Sequence, residues 1–91
     1  MRDIVIEVFN SDSTNMARVI RGAVSLEVIM HFPRCGKVEM RQDCSHYHIK
    51  QGDGINIYVK GKSMTIPAVV KNIRGNVIYF EERMLENKWV K

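Results

Sequence analysis

Two arginines with two residues between them, Arg18 and Arg21, are the side chains best suited to hold a charged, planar ligand. A guanidinium is flat and permanently charged, so it can stack on a base and can also grip a phosphate or purine edge with two hydrogen bonds. Taken alone, the pair reads equally well as surface cations on a solvated loop. Asp43 and Ser45 form a second short constellation, which on its own is a turn-capping pair. Cys44, His46 and His48 would share one face of a strand, with Cys35 one hairpin away. Thiolates and imidazoles suit zinc, but no close Cys-x-x-Cys knuckle is present, and the histidines read also as half-exposed strand residues. Ser45 beside His46 is adjacency without a geometry. No nucleophile–base pair, glycine-rich phosphate loop or paired carboxylate emerges, so the chain is expected to be non-enzymatic.

These residues need strands to position them, and the stretch 43–82 supplies them. Ile55, Ile57 and Val59 alternate with Asn56, Tyr58 and Lys60, the period-two pattern of a half-buried strand. Ile66, Ala68 and Val70 repeat it, and the run 77–80 is apolar on both faces. The stretches 60–63 and 74–76 carry glycines suited to hairpin turns, which makes an antiparallel meander. Pro67 cannot donate to a ladder, so its strand is expected at an edge or bulged there. Upstream, Val24, Leu26, Val28, Met30 and Phe32 are expected on one face of a strand, followed by a turn over 33–36 and a return strand with Val38 and Met40 inward. Residues 2–9, with Ile4, Ile6 and Val8 on one face, form an opening strand or extended arm, followed by a polar loop over 10–15. The segment 16–24 is either a short helical turn or extended. At the end, acids precede a lysine and Leu85 stands four residues before Trp89, which predicts a short C-terminal helix capping one end of a barrel. Tyr47, Tyr58 and Trp89 are expected to pack the core or cap its ends rather than stack bases.

Ninety-one residues suffice for one modest core and exclude a second domain. A composition 45% hydrophobic and 26% charged belongs to a folded globular module. The net charge of +4 permits a phosphate-bearing partner without specifying one. No run approaches the roughly 18–20 apolar residues of a membrane span, and the N-terminus lacks the layout of a secretion signal. A cytoplasmic protein without membrane insertion, its two cysteines reduced, is the expectation.

The order of features from Arg18 to Glu82 resembles a PilZ domain, the bacterial receptor module for cyclic di-GMP. Arg18-Val19-Ile20-Arg21 stands where that family has an arginine pair, and Asp43-Cys44-Ser45 matches the start of its Asp-x-Ser-x-x-Gly motif. Gly52-Asp53, Ala68-Val69-Val70 and the stretch Gly75 to Phe80 match the family's later strands and turns, so the likeness covers about two-thirds of the chain. Two residues separate the arginines where the family has three, and His48 stands where the motif has glycine. A one-residue change of spacing in an extended segment would turn one arginine to the opposite face. A histidine at a glycine position would be strained if φ is positive there.

The resemblance implies an all-β fold, an antiparallel barrel of six to seven strands with the short C-terminal helix. The division would be an arm and polar loop over 1–15, the barrel over 16–82, and a helix or tail over 83–91. It also implies a ligand rather than a cofactor. Arg18 and Arg21 would give cyclic di-GMP base stacking and phosphate charge, Asp43 and Ser45 would fix a guanine edge, and His48 would lie against it. Ligand would order 16–24 against the barrel and alter the surface offered to a partner protein. Two alternatives stay open: a PilZ-like interaction module without nucleotide binding, and a small basic barrel that binds RNA or DNA.

Overall fold

A computed structural model of the chain describes residues 4–9, 18–31, 33–61 and 64–83. The described residues are all-β, with seven strands: β1 (Ile4–Phe9), β2 (Arg18–Ile20), β3 (Ala23–His31), β4 (Arg34–Met40), β5 (Gly54–Val59), β6 (Met64–Arg74) and β7 (Val77–Glu82). One 3-10 turn, Cys44–Tyr47, lies between β4 and β5. The expected C-terminal helix and Trp89 fall outside the described residues.

The strands form one antiparallel sheet in the order β2-β1-β5-β6-β7-β4-β3. β5, β6 and β7 are the expected meander, turning at Gly61 and Gly75, both with positive φ. β1 pairs along its whole length with β5, so the opening segment is an interior strand rather than a free arm. Alternation sends Ile4, Ile6 and Val8 inward with Ile55, Ile57, Ile66, Ala68, Val70, Ile78 and Phe80, and all of these are buried. Each fully buried aliphatic side chain contributes roughly 1.5–3 kcal/mol, which makes this row the main source of stability.

The sheet is not closed into a barrel: β2 and β3 are its two edges, and no ladder joins them. They are nevertheless consecutive, separated only by Arg21 and Gly22. Three links of about 3.8 Å let the Cα atoms of Ile20 and Ala23 lie at most about 11 Å apart. A flat sheet would hold its outer strands roughly 29 Å apart, six spacings of about 4.8 Å. The sheet must therefore roll until its edges nearly meet, and the covalent chain crosses the opening that hydrogen bonds leave. The expected barrel is thus corrected to a rolled, open sheet. Closure is interrupted because β2 is only three residues long and the chain turns away at once into β3.

β3 departs from its expected face. Its register against β4 shifts between Ala23 and Ser25 and again between Val28 and Met30, so Val24 and Ile29 are extra residues. A bulge reverses the alternation beyond it. Leu26 and Val28 pack against the core with Ala23, whereas Val24, Ile29 and Met30 are 51%, 63% and 49% exposed. Phe32, the last of the expected row, lies outside the described residues. Gly36, expected in a turn, is a β4 residue opposite Val28; a Cβ there would overlap the Glu27 carbonyl oxygen and stand 2.9 Å from the Val28 Cα. It is a close-approach glycine. Pro67 is likewise not on an edge strand, because β6 lies between β5 and β7. Its carbonyl accepts from the Arg83 N–H at 2.8 Å, so its nitrogen faces the same side, just past the last β7 residue, where no ladder partner is needed.

Candidate functional site

The stretch 43–48 is a capped turn, as the Asp43–Ser45 pair allowed, and not a strand. Asp43 is its N-cap, and its Oδ1 accepts from the Ser45 backbone N–H at 3.0 Å and the Ser45 hydroxyl at 2.9 Å. These two donors, the backbone one foremost, hold the Asp43 carboxyl below its ordinary range. Cys44 points inward and is buried, which pushes its thiol up, with the Asp43 charge adding to the effect. The Cys44 N–H donates to the Gly75 carbonyl at 2.9 Å and ties the turn to the β6–β7 hairpin. His48 ends the turn in the left-handed region, φ 58° and ψ 41°, its N–H donating back to the Ser45 carbonyl at 3.2 Å. This is the backbone of a helix-ending glycine, worn here by a histidine. The next loop is fixed by Asp53, which is buried and accepts from the Lys50 N–H at 2.9 Å.

Arg18 reaches this turn from the far edge strand. It shares the strand parity of buried Ile20, and its Nη1 and Nη2 donate to the carbonyls of Tyr47 at 2.6 Å and His48 at 3.0 Å. Those carbonyls end the turn and lack acceptor roles within it, so a fixed cation satisfies them. Arg21 follows the end of β2; it is exposed and has no hydrogen-bond or ion-pair partner among the described residues. Gly22 lets the junction pass the turn, since a Cβ there would overlap the Tyr47 hydroxyl. The Gly22 carbonyl accepts from the Arg41 N–H at 2.7 Å, which fixes the junction to the end of β4.

The structure therefore brings Arg18 onto His48 and joins Asp43 to Ser45 around one turn, with Arg21 exposed at the adjoining junction. Beside them a cavity of about 350 Å³ is lined by Ser45, His48, Ile49 and Lys50. Ile49 and Lys50 were not among the expected site residues, though Lys50 stands two positions after His48 in a stretch already singled out. The Arg18 contact had no local signal, because its acceptors lie 29 and 30 residues away.

Cys44, His46 and His48 do not share a strand face: the first is buried and the two histidines are exposed. Cys35 lies at the other end of β4, and both thiols are free. Among the described residues no group of three His, Cys, Asp or Glu side chains is placed to hold a metal ion. Tyr47 packs partly against the core, whereas Tyr58 points outward and donates to Glu7 Oε1 at 2.9 Å, which raises its phenol. No helix among the described residues is long and apolar enough to cross a membrane. Compared with known proteins, the sequence matches no family model, no curated protein and no solved structure.

Proposed function

We propose that this chain is a PilZ-like, cytoplasmic, non-enzymatic module that receives cyclic di-GMP at the 43–48 turn and passes the signal to a partner protein. The observation that carries this reading is that Arg18 bonds the last carbonyls of the turn whose first residues are the Asp43–Ser45 cap, with Arg21 exposed at the adjoining junction. Both Ser45 donors use Oδ1 of Asp43, so Oδ2 is open to the N–H donors of a guanine edge. Arg21 is the guanidinium at liberty to stack on a base or bind phosphate. Arg18 holds the turn's backbone and lends it positive charge. Residues 18–20 are already a paired strand, so ligand would act by shifting the Arg21–Gly22 junction rather than by ordering the whole segment.

A second reading, an interaction module without a nucleotide, is favoured by the exposed Val24, Ile29 and Met30 on β3 and by the internal hydrogen bonds of Arg18 and Asp43. Calorimetry with cyclic di-GMP separates the two. The wild-type chain is expected to give a saturable heat, and the Arg18→Ala, Arg21→Ala double variant at least tenfold weaker binding, equivalent to about 1.4 kcal/mol. A folded wild-type protein that gives no heat would leave the interaction module as the function.

A further inference from the structure

The cavity beside the turn has a lining that the arginine pair and the Asp43–Ser45 cap do not account for. Its lining includes the buried Ile49 together with the exposed Ser45, His48 and Lys50. Neither side chain has a hydrogen-bond or ion-pair partner among the described residues; the Lys50 contact to Asp53 is made by its backbone N–H alone. A volume of about 350 Å³ lies at the small end of ligand pockets, suited to one polar moiety of a larger ligand.

His48 is held there against its own preference. A left-handed conformation is unfavourable for an L-residue, and a glycine would avoid that cost. Its N–H is bonded to the Ser45 carbonyl and its own carbonyl to Arg18, so the backbone is clamped from both directions. Strain kept in place by surrounding bonds collects at sites that use the side chain. The clamp also brings the Arg18 charge next to the cavity. Lys50 adds a compact ammonium and His48 two ring nitrogens; Asp43 is exposed at the start of the turn with Oδ1 bonded to Ser45, and the carboxylate of Asp53 is buried, so the charges of Arg18 and Lys50 stand against one exposed carboxylate. The balance of charge around the opening favours an anion.

We infer that the Ser45–His48–Ile49–Lys50 cavity is a phosphate subsite, in which His48 and Lys50 hold one phosphodiester of the cyclic dinucleotide. The inference rests on the receptor reading, gives Lys50 a ligand contact that reading does not assign, and gives His48 a phosphate rather than a guanine edge. It also reverses the meaning of the histidine, from an obstacle at a glycine position to a contact.

The test uses the whole chain, titrated with cyclic di-GMP by calorimetry, with thermal melts run in parallel. Lys50→Ala and His48→Gly are each expected to weaken binding about tenfold. His48→Gly should at the same time raise the melting temperature, because it relieves the left-handed backbone, so a loss of affinity would not come from misfolding. Backbone amide shifts of residues 45–50 should move on titration of the wild type. If the wild type binds and His48→Gly binds as tightly or more tightly, or Lys50→Ala is without effect, the subsite is overturned while the receptor reading stands. If the wild type does not bind at all, the receptor reading falls, and the subsite with it.

Discussion

At the scale of single residues, the most strongly coupled pair among the described residues is Arg34 and Glu82. Arg34 donates Nε and Nη2 to the two carboxylate oxygens at 3.1 and 3.0 Å, and its backbone N–H donates to Oε1 at 3.1 Å. Both side chains are about three-quarters buried, 28% and 23% exposed, so screening is partial. The side-chain hydrogen bonds, ahead of every other influence, raise the Arg34 guanidinium and lower the Glu82 carboxyl. A carboxyl lowered in the folded state stabilises the protein at every pH above its unfolded value, about 4.3, and that stabilisation is lost as pH falls through the lower folded value. Glu82→Gln is therefore expected to lose about 1 kcal/mol at neutral pH. It should also lose less further stability than the wild type on acidification from pH 5 to pH 2. Urea midpoints across that range check both. Equal acid slopes for the two proteins would remove Glu82 as the titrating group.

At the scale of elements, alternation was legible in β1, β5 and the part of β6 before its register shift, and was not along the whole of the twice-shifted β3. β1 and β5 keep strict alternation, as does the run from Ile66 to Val70 in β6, so their inward residues could be read directly, whereas β7 is apolar on both faces and only the structure separates buried Ile78 and Phe80 from Val77 and Tyr79. β3 could not be read so, because Val24 and Ile29 are inserted against β4, and period-two reasoning carries across an extra residue with the wrong sign. Gly36 misled for a related reason: a glycine near a proline signals a turn, yet this one admits the backbone of β3 at close range. Gly36→Ala is expected to destabilise by about 3 kcal/mol, since the added methyl meets backbone that cannot rotate away. Chemical denaturation measures this, and a loss below about 0.5 kcal/mol, the range of an ordinary surface substitution, would mean that β3 can lift off at little cost. The turn at the site was half legible: Asp43 and Ser45 announced a cap, but nothing local to 43–48 marks the Arg18 that fastens it.

At the scale of the whole molecule, the rolled sheet divides into a well-buried wall and a thinner margin. β1, β5, β6 and β7 carry most of the fully buried side chains, whereas β3 contributes none and is paired only with β4. Hydrogen exchange should follow this division, with the amides of Ile57, Ile66 and Ile78 exchanging orders of magnitude more slowly than those of Glu27 to His31. Uniform protection across all seven strands would show that the margin opens only with the rest.

The two residues between β2 and β3 have a mechanical consequence. A ladder across that opening could breathe one bond at a time, but a peptide span this short has no slack, so the two rims can part only as far as it stretches. Arg21 is the exposed side chain at that span. A force on Arg21 would therefore act on both rims at once, since the residues on either side of the Arg21–Gly22 span end one edge strand and begin the other.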